Sequence, residues 1–301
     1  MLTGTQSTPL DRGQADGLLS RSNEESPLTD KQQTAATPER WTVVIPAFNE
    51  ARFIARTLDT LAAQSIGTPS IVVVDNASTD GTAEVVARFA AEHPGLDVRV
   101  VPEPRQGRLY ALETGIAQVT TAYVALCDAD TLYPVDYLAR AGAGFDAHPD
   151  AAAVFALGVY RGSSPLRARL VRLKGAIAGR LLRNQGHTGG YGQCFHMGRL
   201  RAAGGYSVDL WPFMVADHEV VNRVRRHGRI VYSGNFWCLT SDRRKDRSRV
   251  DWSLGERLLY NFSPGFTKDW FFYRFLRPRF EKRTMYNINL RSRDWEGDPA
   301  P

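Results

Sequence analysis

Apolar residues in this chain gather into short blocks of four to six, each followed by a polar loop and then by a segment of helical spacing. Trp41-Thr42-Val43-Val44-Ile45 is the first block, and it predicts a buried strand stopped by Pro46. Ala51 to Ala63 then carries Phe53, Ile54, Leu58 and Leu61 at helical spacing, with Asn49 as the expected N-cap. Ile71-Val72-Val73-Val74 predicts a second strand, running into Asp75-Asn76-Ala77-Ser78-Thr79-Asp80-Gly81-Thr82. A helix from Ala83 to about Glu92 follows, closed by His93-Pro94-Gly95. Val98 to Val101 is the third expected strand, and Leu109 to Val119 the third helix. The fourth strand, Thr121 to Cys127, leads into Asp128-Ala129-Asp130-Thr131.

Short strands alternating with helices of about ten residues imply βαβ units, hence an α/β chain with a parallel sheet and right-handed crossovers. The polar loops at Phe48 to Glu50, Asp75 to Thr82 and Asp128 to Thr131 all follow strand carboxyl ends, so they converge on one rim. That rim is where open α/β sheets bind ligands.

The second half is less regular. Pro165 to Arg183 sets Arg167, Arg169, Arg172, Lys174, Arg180 and Arg183 among Leu, Val and Ile, which predicts a basic amphipathic helix. The glycine-dense run Gly186 to Gln193 reads either as backbone that approaches a ligand closely or as a connection. In Ala216-Asp217-His218-Glu219, Val220, Val221 and Val224 share a helical face, and Asp217 reads as an N-cap or as a catalyst. Asp251 to Arg283 interleaves Trp252, Trp270, Phe271, Phe272, Tyr273, Phe275 and Phe280 with Arg and Lys. Three readings fit that tail: a helical cap, a membrane-surface contact, and single-stranded nucleic acid stacking, which ranks last.

Composition narrows the class. The 301 residues are 43% hydrophobic and 23% charged, as in a soluble globular protein. Residues 1 to about 40 are rich in Ser, Thr, Gln, Gly, Asp and Pro and predict a disordered tail. The formal charge of +6 and pI near 9.3 favour anionic partners. Cys127, Cys194 and Cys238 are widely spaced, which argues against a disulfide framework and for a reducing, cytoplasmic compartment. No secretory signal is expected in the first forty residues. The longest clean apolar run, Ala151 to Leu157, is far short of the ~20 residues that span a bilayer.

Candidate chemistry centres on Asp128 and Asp130. Two hard carboxylates at a sheet edge, with positions left for substrate phosphates, suit Mg²⁺ or Mn²⁺; the same pair also fits a solvated strand-to-helix turn.

In order, Val43-Val44-Ile45-Pro46-Ala47-Phe48-Asn49-Glu50, Val72 to Thr82, Asp128-Ala129-Asp130 and Ala216-Asp217-His218-Glu219-Val220 resemble the family 2 glycosyltransferases of GT-A fold. The last motif departs from the pattern, with Ala216 where the family usually has Glu. The resemblance implies a Rossmann-like, mostly parallel sheet flanked by helices, a smaller mixed acceptor-side region and a helical C-terminal extension. Its domain reading is a tail (1–40), a nucleotide-sugar-binding half (41–135), an acceptor-binding half (136–245) and a basic aromatic extension (246–301).

The resemblance also implies roles. Pro46, Ala47, Phe48 and Glu50 would line the nucleotide pocket, with Glu50 near the ribose. Asp75 would accept from the N–H of uracil or guanine. Asp128 would approach ribose beside Ala129, and Asp130 would hold the divalent metal. Arg108 would lie beside the nucleotide, and Arg243 and Arg244 would grip the diphosphate. Asp217 would be the general base of an inverting single displacement, with Glu219 as the alternative. His187, His196 and His218 are unassigned candidates for the metal shell.

The implied partners are a UDP- or GDP-sugar and a carbohydrate, lipid-linked or small-molecule acceptor, with peripheral membrane contact as a further reading and no nucleic acid. A nucleotidyltransferase is the rival enzyme, but it expects a Gly-rich basic signature after the first strand, where this chain has Pro46 to Glu50. A non-catalytic sugar-nucleotide or nucleic-acid binding protein is the third reading, and intact Asp128, Asp130 and Asp217 argue against a dead enzyme.

Overall fold

Alternate residues of each apolar block serve two different cores, as the twofold period of a strand requires. Trp41, Val43, Ile45 and Ala47 pack on one face of the sheet with Ile71, Val73 and Ala125, while Val44, Val72, Val74, Val124 and Leu126 pack on the other. Burial on both faces is why these strands read as near-continuous apolar runs.

The computed structural model describes Ala35, residues 37–181, Gly186, and residues 189–241 and 252–288. Its strands are β1 (Trp41–Ala47), β2 (Ser70–Asp75), β3 (Val98–Pro102), β4 (Tyr123–Leu126), β5 (Ala151–Tyr160), β6 (Gln193–His196) and β7 (Arg229–Thr240). They form one sheet in the order β3-β2-β1-β4-β6-β5-β7. β6 is antiparallel to β4 and β5, and the other pairs are parallel. The carboxyl ends of every strand but β6 therefore share one edge. The helices are α1 (Ile54–Ala62), α2 (Thr82–Glu92), α3 (Arg108–Ala117), α4 (Tyr137–Ala147), α5 (Pro165–Leu181), α6 (Met197–Ala202), α7 (Ala216–Val224), α8 (Leu254–Phe262) and α9 (Arg277–Lys282), with a π-helical turn at Trp270–Leu276. Side chains of α1, α2 and α4 join one core, and those of α3, α6, α7 and the C-terminal helices join the other.

Helix α3 lies close on the sheet through Gly115. A Cβ there would collide with Val44 and lie 2.9 Å from Val74 Cγ2. Both neighbours are β-branched and stiff at χ1, so neither can swing aside. Removing a helical glycine normally gains about 0.5–1 kcal/mol, whereas overpacking a tight core costs about 1–3 kcal/mol. The second effect wins, so Gly115→Ala should lower the midpoint of urea unfolding; an unchanged or raised midpoint would show that the contact can relax.

The fold departs from the sequence reading at three places. β1 does not stop at Pro46 but runs to Ala47, pairing with β2 in register. The β1–β4 register ends at Val44 and Leu126, so the missing N–H of Pro46 points to a side where the neighbouring strand has already diverged. Asn49 does not cap α1, which begins only at Ile54. Asn49 adopts φ 54° and turns its Oδ1 to the N–H of Thr79, 2.9 Å away, in the next rim loop.

The second half carries three strands that no clear periodicity announced. The aromatic tail forms the helical cap that is the first of its three readings: Trp252, Tyr260, Phe271, Phe272, Leu276 and Phe280 are buried in the same core as Trp211 and Phe213. Residues 1–34 of the expected disordered tail, and residues 242–251 and 289–301 near the C-terminus, lie outside the described residues. Cys127, Cys194 and Cys238 are buried free thiols, each pushed up in pKa by loss of solvation. Among the described residues no helix is long and apolar enough to cross a membrane.

Candidate active site

The rim loops after β1, β2 and β3 are stitched to one another by side chains that chose each other over water. Ser78 Oγ accepts from the Asn49 N–H, Asp80 Oδ2 from the Ala51 N–H at 3.0 Å, and Thr82 Oγ1 from the Glu50 N–H at 2.8 Å. Asn76 donates to the carbonyls of Glu103 and Arg105 and accepts from the Gly107 N–H at 2.9 Å. Glu103 in turn receives Arg105 at 2.7 Å, and these hydrogen bonds hold its carboxyl at about 2. Asn49, Ala77 and Val215 have φ between 54° and 56°. Such left-handed non-glycine residues cost about 1–3 kcal/mol each and collect at functional sites.

Pro46, Ala47 and Phe48 close β1 at this rim, with Ala47 opposite Asp75 in register. Glu50 is buried behind them. Asp75 ends β2, and its Oδ1 is buried without a hydrogen-bond partner. An unsatisfied carboxylate oxygen costs free energy unless a ligand N–H completes it.

At the end of β4, Asp128 accepts from Arg108 Nη2 at 2.8 Å. Arg108 starts α3 and lies against Gly190, where any Cβ would strike the guanidinium. Thr57 on α1 fixes the turn by donating its hydroxyl to the Ala129 and Thr131 carbonyls at 2.8 and 3.0 Å. Tyr133 accepts from the Asp128 N–H and donates to the Tyr191 carbonyl, 2.9 Å each. Arg161 donates to the Asp130 carbonyl. Asp130 is 5% exposed and lines a cleft of about 30 Å³ with Asp128, Thr131, Tyr160, Tyr191, Thr240 and Ser241.

Every lining side chain bears oxygen and none bears nitrogen or sulfur. This donor set fits Mg²⁺ or Mn²⁺. Among the described residues no group of three His, Cys, Asp or Glu side chains converges as a metal cage.

Asp217 is not the N-cap of α7. That position is Val215, at φ 55° and ψ 28°, and Asp217 sits in the first turn with its Oδ1 accepting from the His218 N–H at 3.1 Å. Gln193 of β6 reaches the Asp217 carbonyl at 3.4 Å and also accepts from the Tyr206 hydroxyl. Burial, and then the charge of Asp217, push the Tyr206 hydroxyl above its ordinary pKa. Arg108 also lies within the field of Asp217. Glu219 points elsewhere: it is 1% exposed, paired with Arg223 at 2.7 and 2.8 Å, and accepts from the Tyr273 hydroxyl.

The model of the family described as glycosyl transferase family 2 matches residues 42–204, more than half of the chain and the part that carries β1 to β6. The chain belongs to glycosyl transferase family 2. It is similar to Glycosyltransferase AglE of Haloferax volcanii, 34% identical over 90 residues, which are 29% of this chain and 29% of that protein. It is also similar to the poly-beta-1,6-N-acetyl-D-glucosamine synthase of Staphylococcus epidermidis, 25% identical over 242 residues, covering 73% of this chain and 56% of that one. Among solved structures, the mannosyltransferase PcManGT from Pyrobaculum calidifontis in complex with GDP-Man and Mn²⁺ superposes with a TM-score of 0.60 and 28% identity. The overlap covers 77% of this chain and 66% of that chain. This chain thus spans between 29% and 56% of the length of the curated relatives named here.

Of the residues that the family 2 resemblance implies, Pro46, Ala47, Phe48, Glu50, Asp75, Arg108, Asp128, Ala129, Asp130 and Asp217 all fall on the rim or beside it. Arg243 and Arg244 lie outside the described residues, as does His187. His196 ends β6, away from the cleft lining. His218 packs at a tilt against Trp252, with centroids 4.9 Å apart. Sequence reasoning missed Tyr133, Tyr191 and Thr57, which hold the Asp128 turn, and Asn287, whose Oδ1 accepts from the Leu109 N–H at 3.1 Å. No local signal marks Asn287, because its partner is 178 residues away.

Proposed function

We propose that this family 2 chain transfers a sugar from a UDP- or GDP-sugar to an acceptor hydroxyl, with inversion at the anomeric carbon and with Mg²⁺ or Mn²⁺ bound. The oxygen-lined cleft at Asp128 and Asp130, on the same rim as the unsatisfied Asp75 Oδ1, is the observation that carries this reading. Asp75 accepts from a base N–H, Pro46 to Glu50 line the nucleotide pocket with Glu50 toward the ribose, and Arg108 with Asp128 borders the ribose and diphosphate. Asp130 holds the cation, which when bound supplies charge neutralisation to the diphosphate oxygens. Arg243 and Arg244 add bidentate contacts to the same oxygens.

Asp217 takes the proton of the acceptor hydroxyl as that oxygen bonds to the anomeric carbon. The bond from that carbon to the diphosphate breaks on the opposite side, and the nucleoside diphosphate leaves with the electron pair. Glu219 is held in its pair with Arg223, which favours Asp217 as the base. The acceptor is a carbohydrate, a lipid-linked or a small-molecule hydroxyl, and the protein works in the cytoplasm.

The test is a thermal-shift screen of UDP- and GDP-sugars with and without Mn²⁺, followed by product analysis. A ligand at about 100 times its Kd stabilises by about 2.7 kcal/mol, a readily measured shift. Release of UDP or GDP supports a glycosyltransferase, whereas release of pyrophosphate would assign a nucleotidyltransferase.

A further inference from the structure

Helix α5 meets the sheet with small residues and turns its large apolar ones outward. On the sheet side a Cβ on Gly175 or Gly179 would run into Leu157 or Tyr232, both within 3 Å, and Arg172 donates to the Gly234 carbonyl at 2.7 Å. At about 100° per residue, Leu166, Leu170, Leu173 and Ile177 form a narrow stripe almost diametrically opposite that contact. They are 68%, 57%, 59% and 49% exposed. Core burial normally takes such residues first, so four of them in register on an exposed face need a partner.

The flanks of the stripe are cationic. Arg167 and Lys174 border one side and Arg169 the other, all exposed. No Asp or Glu occurs between Asp150 and Asp209, so no acidic neighbour in the sequence offsets them. An apolar stripe between rows of cations matches an anionic bilayer surface, with hydrocarbon below the headgroup plane and negative charge within it. At 17 residues the helix is too short to cross the membrane but long enough to lie along it.

Helix α5 also reaches the reaction site. Ala168 and Arg172 line a cavity of about 300 Å³ that contains Arg56, Tyr160, Arg161 and Trp237. Tyr160 is shared with the cleft of Asp130, and Arg161 donates to the Asp130 carbonyl.

We propose that α5 docks the protein on an anionic lipid bilayer, with Leu166, Leu170, Leu173 and Ile177 inserted and Arg167, Arg169 and Lys174 among the headgroups. Docking holds this cavity one helix diameter, ~10 Å, from the inserted stripe, so that an acceptor carried in the bilayer lies within reach of Asp130. The docking claim stands on α5 alone; only this consequence for the acceptor rests on the transferase reading.

The test is co-sedimentation of the full chain with vesicles of phosphatidylcholine alone, or mixed with phosphatidylglycerol. Binding to the mixed vesicles should exceed binding to phosphatidylcholine by at least about tenfold, and should weaken with salt. Leu170→Glu with Leu173→Glu should cut binding to mixed vesicles by at least about tenfold. Thermal stabilisation by donor and Mn²⁺ should not change in that variant, which separates failure of docking from failure of the donor site. Replacing Arg167, Arg169 and Lys174 by Gln should keep the stripe and lose the preference for anionic vesicles. Equal sedimentation with both vesicle types, or binding that survives the Leu170 and Leu173 changes, overturns the proposal. So does a dimer in light scattering that those changes convert to monomer without any vesicle binding, an outcome that assigns the stripe to a second copy.

Discussion

Asp217→Asn should bind a nucleotide sugar as the unaltered protein does and lose turnover by about 10²- to 10⁴-fold, the usual worth of a positioned proton acceptor. The substitution keeps the shape of the side chain and an oxygen to accept from the His218 N–H, so the first turn of α7 stays in place. What disappears is the basicity that the proposed role assigns to Asp217. Asp130→Asn should fail earlier. An amide oxygen is a poor substitute for a carboxylate on a hard divalent ion, so binding that depends on Mn²⁺ should vanish while folding persists. Calorimetric titration of donor with and without Mn²⁺, run beside an assay of released UDP or GDP, reads both effects. If both variants bind and turn over normally, the assignment of roles fails.

Trp211→Ala should destabilise the fold by about 3–5 kcal/mol, the range for deleting a large buried aromatic. Trp211 is 1% exposed and meets the rings of Phe213, Phe272, Tyr273 and Phe280 at centroid distances of 5.3, 5.5, 6.3 and 6.0 Å. Its indole N–H donates to the Met214 carbonyl at 2.8 Å. Three of those four rings belong to the C-terminal helices, so the cavity would open between the tail and the rest of this core. For a domain of this size the melting temperature should fall by about 6–20 °C. A change smaller than about 2 °C would mean that the tail closes over the gap.

The first four strands and three helices were legible because each is a local pattern: an apolar run buried on both sides, then a spacing of 3.6. β5, β6 and β7 were not, for a reason visible in their residues. Ala151-Ala152-Ala153 has little intrinsic strand preference, and β5 becomes a strand because β7 and β6 flank it. The rim was legible as a place, since Asp75 and the Asp128–Asp130 pair each follow a strand. Its internal wiring was not. Asn49 looked like a helix cap because its type suits one, yet the N–H of Thr79 competes for the same oxygen and wins. The tail divided three ways on composition alone, and burial of Trp252, Phe271 and Phe272 resolved it. Helix α5 was foreseen as amphipathic, but which side would face the sheet depended on glycines whose role only the packing reveals.

The reach of Asn287 back to Leu109 carries a consequence for synthesis. On the ribosome, β1 to β4 can assemble long before residue 287 emerges, but the start of α3 beside Arg108 keeps an open backbone donor until then. A nascent chain would therefore hold these strands with that rim donor unmatched until the segment around Asn287 has been made and has folded back.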